Sequence, residues 1–127
     1  MIRTSLVAGA IAALTFAGAG ASAKPAPTGD AAITADVRCL LMGFILAQNP
    51  DAKTKSYGQS AALFYWGRLQ GRGALDGLEG RIVQQASWAT PEAIADAAQT
   101  CGAEMKAAGD DMKALGDRLN ALKDAGR

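Results

Sequence analysis

Few residues of this chain have side chains that could act in catalysis or bind a metal. It has two cysteines, Cys39 and Cys101, and no histidine. Without histidine it lacks the commonest general base, the commonest metal ligand and the side chain that most often changes charge near neutral pH. Two thiols are too few for the usual zinc or haem ligand sets, and they do not form a Cys-x-x-Cys pair that would tune a thiolate. We therefore expect no metal site, no cofactor and no redox catalysis.

Carboxylates are the remaining catalytic option, and Asp110 and Asp111 are the closest pair. Adjacent residues on a helix point in different directions, whereas paired catalytic carboxylates share one cleft. The chain also offers no nucleophile with a matching base. We predict that the protein is not an enzyme.

The first 23 residues predict a secretory signal peptide. Arg3 gives a positive start, residues 6–18 are apolar, and Ala21 and Ala23 are the small residues that precede a cleavage site. A membrane anchor is the alternative, but the run is mostly Ala and Gly and is shorter than the roughly 20 strongly apolar residues of a bilayer span. We expect a periplasmic protein with no stable membrane span after cleavage.

The expected mature chain is almost neutral. Removing Arg3 from the thirteen basic residues leaves twelve, against twelve acidic ones, so no strong field attracts nucleic acid. Its charge should stay nearly constant down to about pH 4, where carboxylates become protonated. Net charge then rises towards +12, and self-repulsion would loosen the fold.

After a flexible leader at residues 24–29, residues 30–127 predict one all-α domain, a small bundle of about four helices. The first helix should span residues 30–48, which are apolar nearly all round and must be buried on several sides. One of its faces carries a regular apolar stripe at helical spacing: Ile33, Val37, Leu40, Leu41 and Phe44.

The second predicted helix covers residues 56–72 and contains three consecutive aromatic residues, Phe64, Tyr65 and Trp66. They sweep about 200° around a helix, so they cannot all face the core, and Tyr65 or Trp66 should lie at its margin. Gly67 and Gly71 are spaced for close approach of another helix.

The starts of the two remaining helices can be predicted from their capping residues. Asp76 and Glu79 have the spacing of a capping box before a short third helix. Thr90 can cap the last helix, and Pro91 suits its first position.

The last helix carries apolar residues at alternating steps of four and three from Ile94 to Leu122, the pattern of a coiled-coil seam. Gly102, Gly109 and Gly116 recur every seven residues beside it, which indicates close helix packing or a kink near Gly109. A dimeric coiled coil is possible in principle. We favour packing within the chain, because the other helices need partners for their apolar faces.

Cys39 lies in the first predicted helix and Cys101 on the seam of the last. Two cysteines in a small exported domain most often form one structural disulfide, although two free buried thiols are the alternative. A disulfide here would connect the first helix to the last.

The chain combines predicted export, a helical pattern, two cysteines and the segment TPEAIADAAQTC. In this combination it resembles the small acid-stress chaperones of the bacterial periplasm, the HdeA/HdeB type. The resemblance covers roughly residues 36–106. It implies a disulfide between Cys39 and Cys101, no catalytic site, and binding of unfolding periplasmic proteins through apolar surface exposed in acid. The wider cysteine spacing, the segment LFYWGRLQGR and the absence of lysine-rich ends depart from that family.

Two functional hypotheses follow. The first is a stress-protective chaperone that binds unfolded clients through Phe64, Tyr65 and Trp66, unless these aromatics are simply core. The second is a dedicated inhibitory, immunity-like module or envelope-complex subunit. Its protein partner would contact an exposed aromatic residue with arginines around it. These arginines are Arg68, Arg72 and Arg81, unless they form only a solvated basic edge. Either could act as a monomer or a homodimer.

Overall fold

The computed structural model describes residues 29–126, and this part of the chain folds as an all-α bundle of four α-helices without strands. The predicted fold class is therefore confirmed. The predicted signal peptide and residues 24–28 of the leader lie outside the described residues. The helices are α1 (Gly29–Ala47), α2 (Ala52–Gly71), α3 (Leu78–Gln85), which a 3₁₀ turn at Ala86–Trp88 extends, and α4 (Pro91–Ala125).

None of the helices in residues 29–126 combines the length and apolar character needed to cross a membrane.

Local capping sets where the helices begin. α2 starts at Ala52, four residues before the predicted start, because Asp51 caps it: its Oδ1 accepts hydrogen bonds from the backbone N–H of Thr54 at 2.8 Å and from the Thr54 hydroxyl at 2.7 Å. These two bonds, the backbone one first, hold the pKa of Asp51 below its usual range. At α4, Thr90 caps as predicted, and its Oγ1 accepts from the N–H of Ala93 at 3.2 Å.

The predicted capping role of Asp76 is wrong. Gly77 occupies the cap position of α3 with φ of 71°, and no side chain bonds to the helix start there. Glycine adopts this left-handed backbone conformation readily, and a side chain one residue before the cap is out of place to bond the first N–H groups.

α1 and α2 form a tightly packed antiparallel hairpin around two glycines. A Cβ atom on Gly43 would lie 2.6 Å from the backbone nitrogen of Ala62, and one on Gly58 would collide with the backbone of Ala47. The predicted close approach at Gly67 and Gly71 is wrong, because both face open space. The two helices touch through the glycines nearer their connecting loop.

The core lies between α1, α2 and the first three turns of α4. Its largest fully buried apolar side chains come from the hairpin: Val37, Leu40, Met42, Tyr65 and Leu69. α4 contributes Ile94, Ala97 and Cys101. α2 contacts α4 through its tyrosines: the hydroxyl of Tyr57 donates to the carbonyl oxygen of Ala98 at 2.8 Å, and that of Tyr65 to the carbonyl oxygen of Cys101 at 3.0 Å.

The second half of α4 has no cover from the rest of the described chain, because α4 has 35 residues whereas α1 has 19 and α2 has 20. Within residues 29–126, packing of the seam ends near Met105, so the predicted packing against the other helices is confirmed for the first part of α4 and is wrong for the second. Four of its apolar side chains are 49–74% exposed: Met112, Leu115, Leu119 and Leu122.

Candidate functional site

A disulfide joins α1 to α4. The sulfur atoms of Cys39 and Cys101 are 2.00 Å apart and their Cα atoms 5.9 Å apart, across 62 residues of sequence. Both residues are buried. The predicted pairing is confirmed, and the alternative of free thiols is wrong.

An ion-pair network lies beside the disulfide and links the same helices. The carboxylate of Asp36 on α1 is buried and accepts from Nε of Arg72 at 2.7 Å, while a terminal nitrogen of Arg68 lies 3.0 Å from its other oxygen. The second terminal nitrogen of Arg68 binds Glu104 on α4. Three helices are thus connected through Arg68 of α2 and Arg72, the residue that follows its last turn.

Tyr65 connects this network to the disulfide. Its hydroxyl is shared between the carbonyl oxygen of Cys101, at 3.0 Å, and a carboxylate oxygen of Glu104, at 2.9 Å. Burial, and then the bond to Glu104, raises the pKa of Tyr65 well above its ordinary value. Phe64 meets the Tyr65 ring edge-on with centroids 5.0 Å apart, and the Arg68 guanidinium lies 5.3 Å from the Tyr65 centroid.

The residues predicted as a partner-binding group are therefore divided by the structure. Tyr65 is fully buried, Phe64 is half-buried, and Trp66 is exposed at the margin of the core. Arg68 and Arg72 bind Asp36 within the chain. Arg81 lies apart from this network on α3, where it lines a small cleft with Thr34 and Val37 of α1.

Trp66 belongs to an exposed apolar surface that spans α1 and α2. We call it the α1–α2 patch and define it by its lining residues, Phe44, Ala62, Leu63 and Trp66. Leu63 is 75% exposed, and Phe44 and Trp66 are each 43% exposed. Sequence reasoning missed Phe44 and Leu63 because both fit apolar stripes that point towards a core. The only available signal was that α1 has more apolar faces than a small bundle can cover.

A second concave surface lies between α1 and α4, next to the disulfide. The guanidinium of Arg38 lies 5.3 Å from the ring centroid of Trp88, and its Nε donates to Oε1 of Gln85 at 2.8 Å. Asp96 and Thr100 complete the polar part of the lining. Arg38 is held in place by these contacts.

Within residues 29–126, no group of three or more cysteine or carboxylate side chains is placed to hold a metal ion. Asp110 lies on the exposed face of α4 and binds Lys106 at 2.6 Å. Its role is that of a surface ion pair.

Comparisons with protein-family models, with curated proteins and with solved structures give no match to this chain. What the protein does must therefore be inferred from its own residues. Within residues 29–126, large apolar side chains are exposed together at the α1–α2 patch and along the second half of α4.

Proposed function

We propose that the protein is an exported, non-enzymatic chaperone that binds apolar segments of unfolding proteins in the periplasm. The observation that carries this proposal is the α1–α2 patch, where three large apolar side chains are exposed together on a rigid hairpin. Contiguous exposed apolar surface on a small protein marks an interaction site.

The lining of the patch favours many clients over one dedicated partner. Its residues are all apolar, so it lacks the polar groups that fix the orientation of a single ligand. A dedicated module would use the predicted arginine rim. Arg68 and Arg72 already bind Asp36, so this rim is less available.

The ion-pair network supports a response to acid. Carboxylates as a class become protonated near pH 4, and the contacts that Arg68 and Arg72 make between helices depend on carboxylate partners. Because Arg68 bridges α2 to both α1 and α4, these two helix contacts would weaken together. The disulfide would still hold α1 to α4 and limit the opening. Acid would thereby enlarge the apolar surface without full unfolding.

The test is the suppression of client aggregation, followed by light scattering at neutral pH and after acidification. We expect the natural protein to reduce scattering, more strongly in acid, and a Leu63→Ser/Trp66→Ser variant to lose most of this effect. Val83→Ser is the matched control, because Val83 is also an exposed apolar residue, on α3 and outside the patch. Equal suppression by all three proteins would refute a role for the patch.

Export has its own test, the intact mass of the protein recovered from the periplasm, measured after alkylation. We expect a chain beginning at Lys24 that carries no alkylated cysteine. Recovery from the cytoplasm with the first 23 residues retained would contradict the proposal.

A further inference from the structure

The second half of α4, residues 106–125, carries an apolar stripe that the rest of the described chain leaves open. We call this segment the α4 tail. A single helix of this length is only marginally stable in water, since most helices in proteins are stabilised by covering their apolar face. Gly109 and Gly116 weaken it further, by about 1 kcal/mol each relative to alanine. Something should cover this face.

We propose that a second copy of the chain covers it, with the two α4 tails packed antiparallel as a short coiled coil. The arrangement of charges supports this occupant. Lys106 and Lys113 bind Asp110 and Asp117 along the helix, so these four charges are satisfied within one tail.

Two further charges lie on the same edge of the stripe and make no ion pair within residues 29–126: Asp111 and Arg118. In the heptad set by the stripe both occupy g positions, which face each other across an antiparallel pair of helices. Asp111 of each copy would then meet Arg118 of the other, which gives two symmetric ion pairs. A parallel pair would instead bring Arg118 towards Lys123 of the second copy, a repulsive contact.

The same register pairs the apolar side chains. A two-fold axis midway between positions 113 and 114 sets Met112 against Leu115 of the second copy and Met105 against its Leu122. Gly109 then lies opposite Gly116, which permits close approach of the two helices. In the single chain, a Cβ atom at either glycine would have no other atom within 4 Å. The dimer would therefore give both glycines a packing role.

The proposed interface starts where the bundle ends. Gly102 lies against the Tyr57 hydroxyl, and Glu104 binds Arg68, so α4 contacts α2 up to this point. Residues 105–122 then give an overlap of about 27 Å at 1.5 Å per residue. An interface this short predicts a dimer that dissociates on dilution. The proposal is independent of the α1–α2 patch.

The experiment measures the dimer dissociation constant by sedimentation velocity over a range of concentrations. In Arg118→Asp, both ion pairs become contacts between two carboxylates, and we expect dimerisation about tenfold weaker, equivalent to about 1.4 kcal/mol. The double exchange Asp111→Arg/Arg118→Asp restores opposite charges and should recover the wild-type constant. Circular dichroism checks that each variant is folded.

Three results would overturn the proposal: a natural protein that stays monomeric, stronger association of Arg118→Asp, which a parallel pair predicts, or failure of the double exchange to recover dimers. Cross-linking checks the register independently. Met105→Cys mixed with Leu122→Cys should form cross-links between the two variants, whereas each variant alone should form none, because its two cysteines would lie about 25 Å apart along the helices. Cross-linking of each variant to itself would contradict the antiparallel arrangement.

Discussion

The side chain of Asp36 is 2% exposed, whereas that of Arg72, which binds it, is 36% exposed. The Nε atom of Arg72 lies 2.7 Å from Oδ2 of Asp36. The carboxylate is thus desolvated while its partners are not. Its burial is offset only by Arg72 and by Arg68 beside it. Removing one member of such a network should cost more than breaking a surface ion pair.

Asp36→Asn tests this relationship. We expect the free energy of unfolding to fall by about 2 kcal/mol, less than the 3–5 kcal/mol of a fully buried pair because the arginines remain in contact with water. Urea unfolding at neutral pH, followed by circular dichroism, measures the change. Asp117→Asn is the matched control: it removes an exposed pair on α4 and should change stability by no more than about 0.5 kcal/mol. Equal effects of the two variants would show that the Asp36 network does not stabilise the bundle.

Gly43→Ala and Gly67→Ala should have opposite effects. The new methyl group at position 43 would lie 2.6 Å from the backbone of Ala62, and backbone atoms cannot move aside cheaply, so we expect a loss of about 2 kcal/mol or more. At position 67 the methyl group meets open space and should raise stability by up to about 1 kcal/mol through helix propensity. Thermal unfolding of both variants gives the comparison. A stable Gly43→Ala protein would contradict the close crossing of α1 and α2.

Cys39→Ala/Cys101→Ala should lower the free energy of unfolding by about 4 kcal/mol, because it releases a loop of 62 residues in the unfolded chain. The same loss should follow reduction of the natural protein. Urea midpoints with and without reductant measure it. Identical midpoints would mean that the cross-link contributes nothing to stability.

High pH should destabilise the protein through its two tyrosines. Burial raises the pKa of both Tyr57 and Tyr65 in the folded state, so the unfolded chain ionises first, from about pH 10. The stability that their neutral hydroxyls contribute is fully present below that pH and is lost as pH rises through the folded-state values. We expect the ultraviolet absorbance of tyrosinate to appear together with the loss of helix. Ionisation of both tyrosines near pH 10 in a folded protein would contradict their burial.

Features set by local chemistry could be predicted from the sequence. Thr90 and Pro91 mark a helix start by themselves, and two cysteines in a small chain with a predicted signal peptide predict their own pairing. The glycine contacts could not be predicted, because Gly43 and Gly67 look alike until the crossing of α1 and α2 is known.

The candidate site was predicted only in part, for a related reason. Consecutive aromatics sweep around a helix, so their order cannot decide that Tyr65 turns inward and Trp66 outward. Phe44 lies on an apolar stripe of α1, and its exposure depends on how many helices surround that stripe. The uncovered half of α4 likewise depends on where the shorter helices α1 and α2 end against it, which the spacing of residues along α4 does not contain.

The most direct test of the proposed function is photo-cross-linking from position 63. A photoreactive amino acid replaces Leu63 in one protein and Val83 in a second, and each is mixed with an unfolding client and irradiated. We predict cross-linked client from position 63, with a higher yield in acid, and little from position 83. Equal yields from both positions, or none from position 63, would contradict binding of unfolding proteins at the α1–α2 patch.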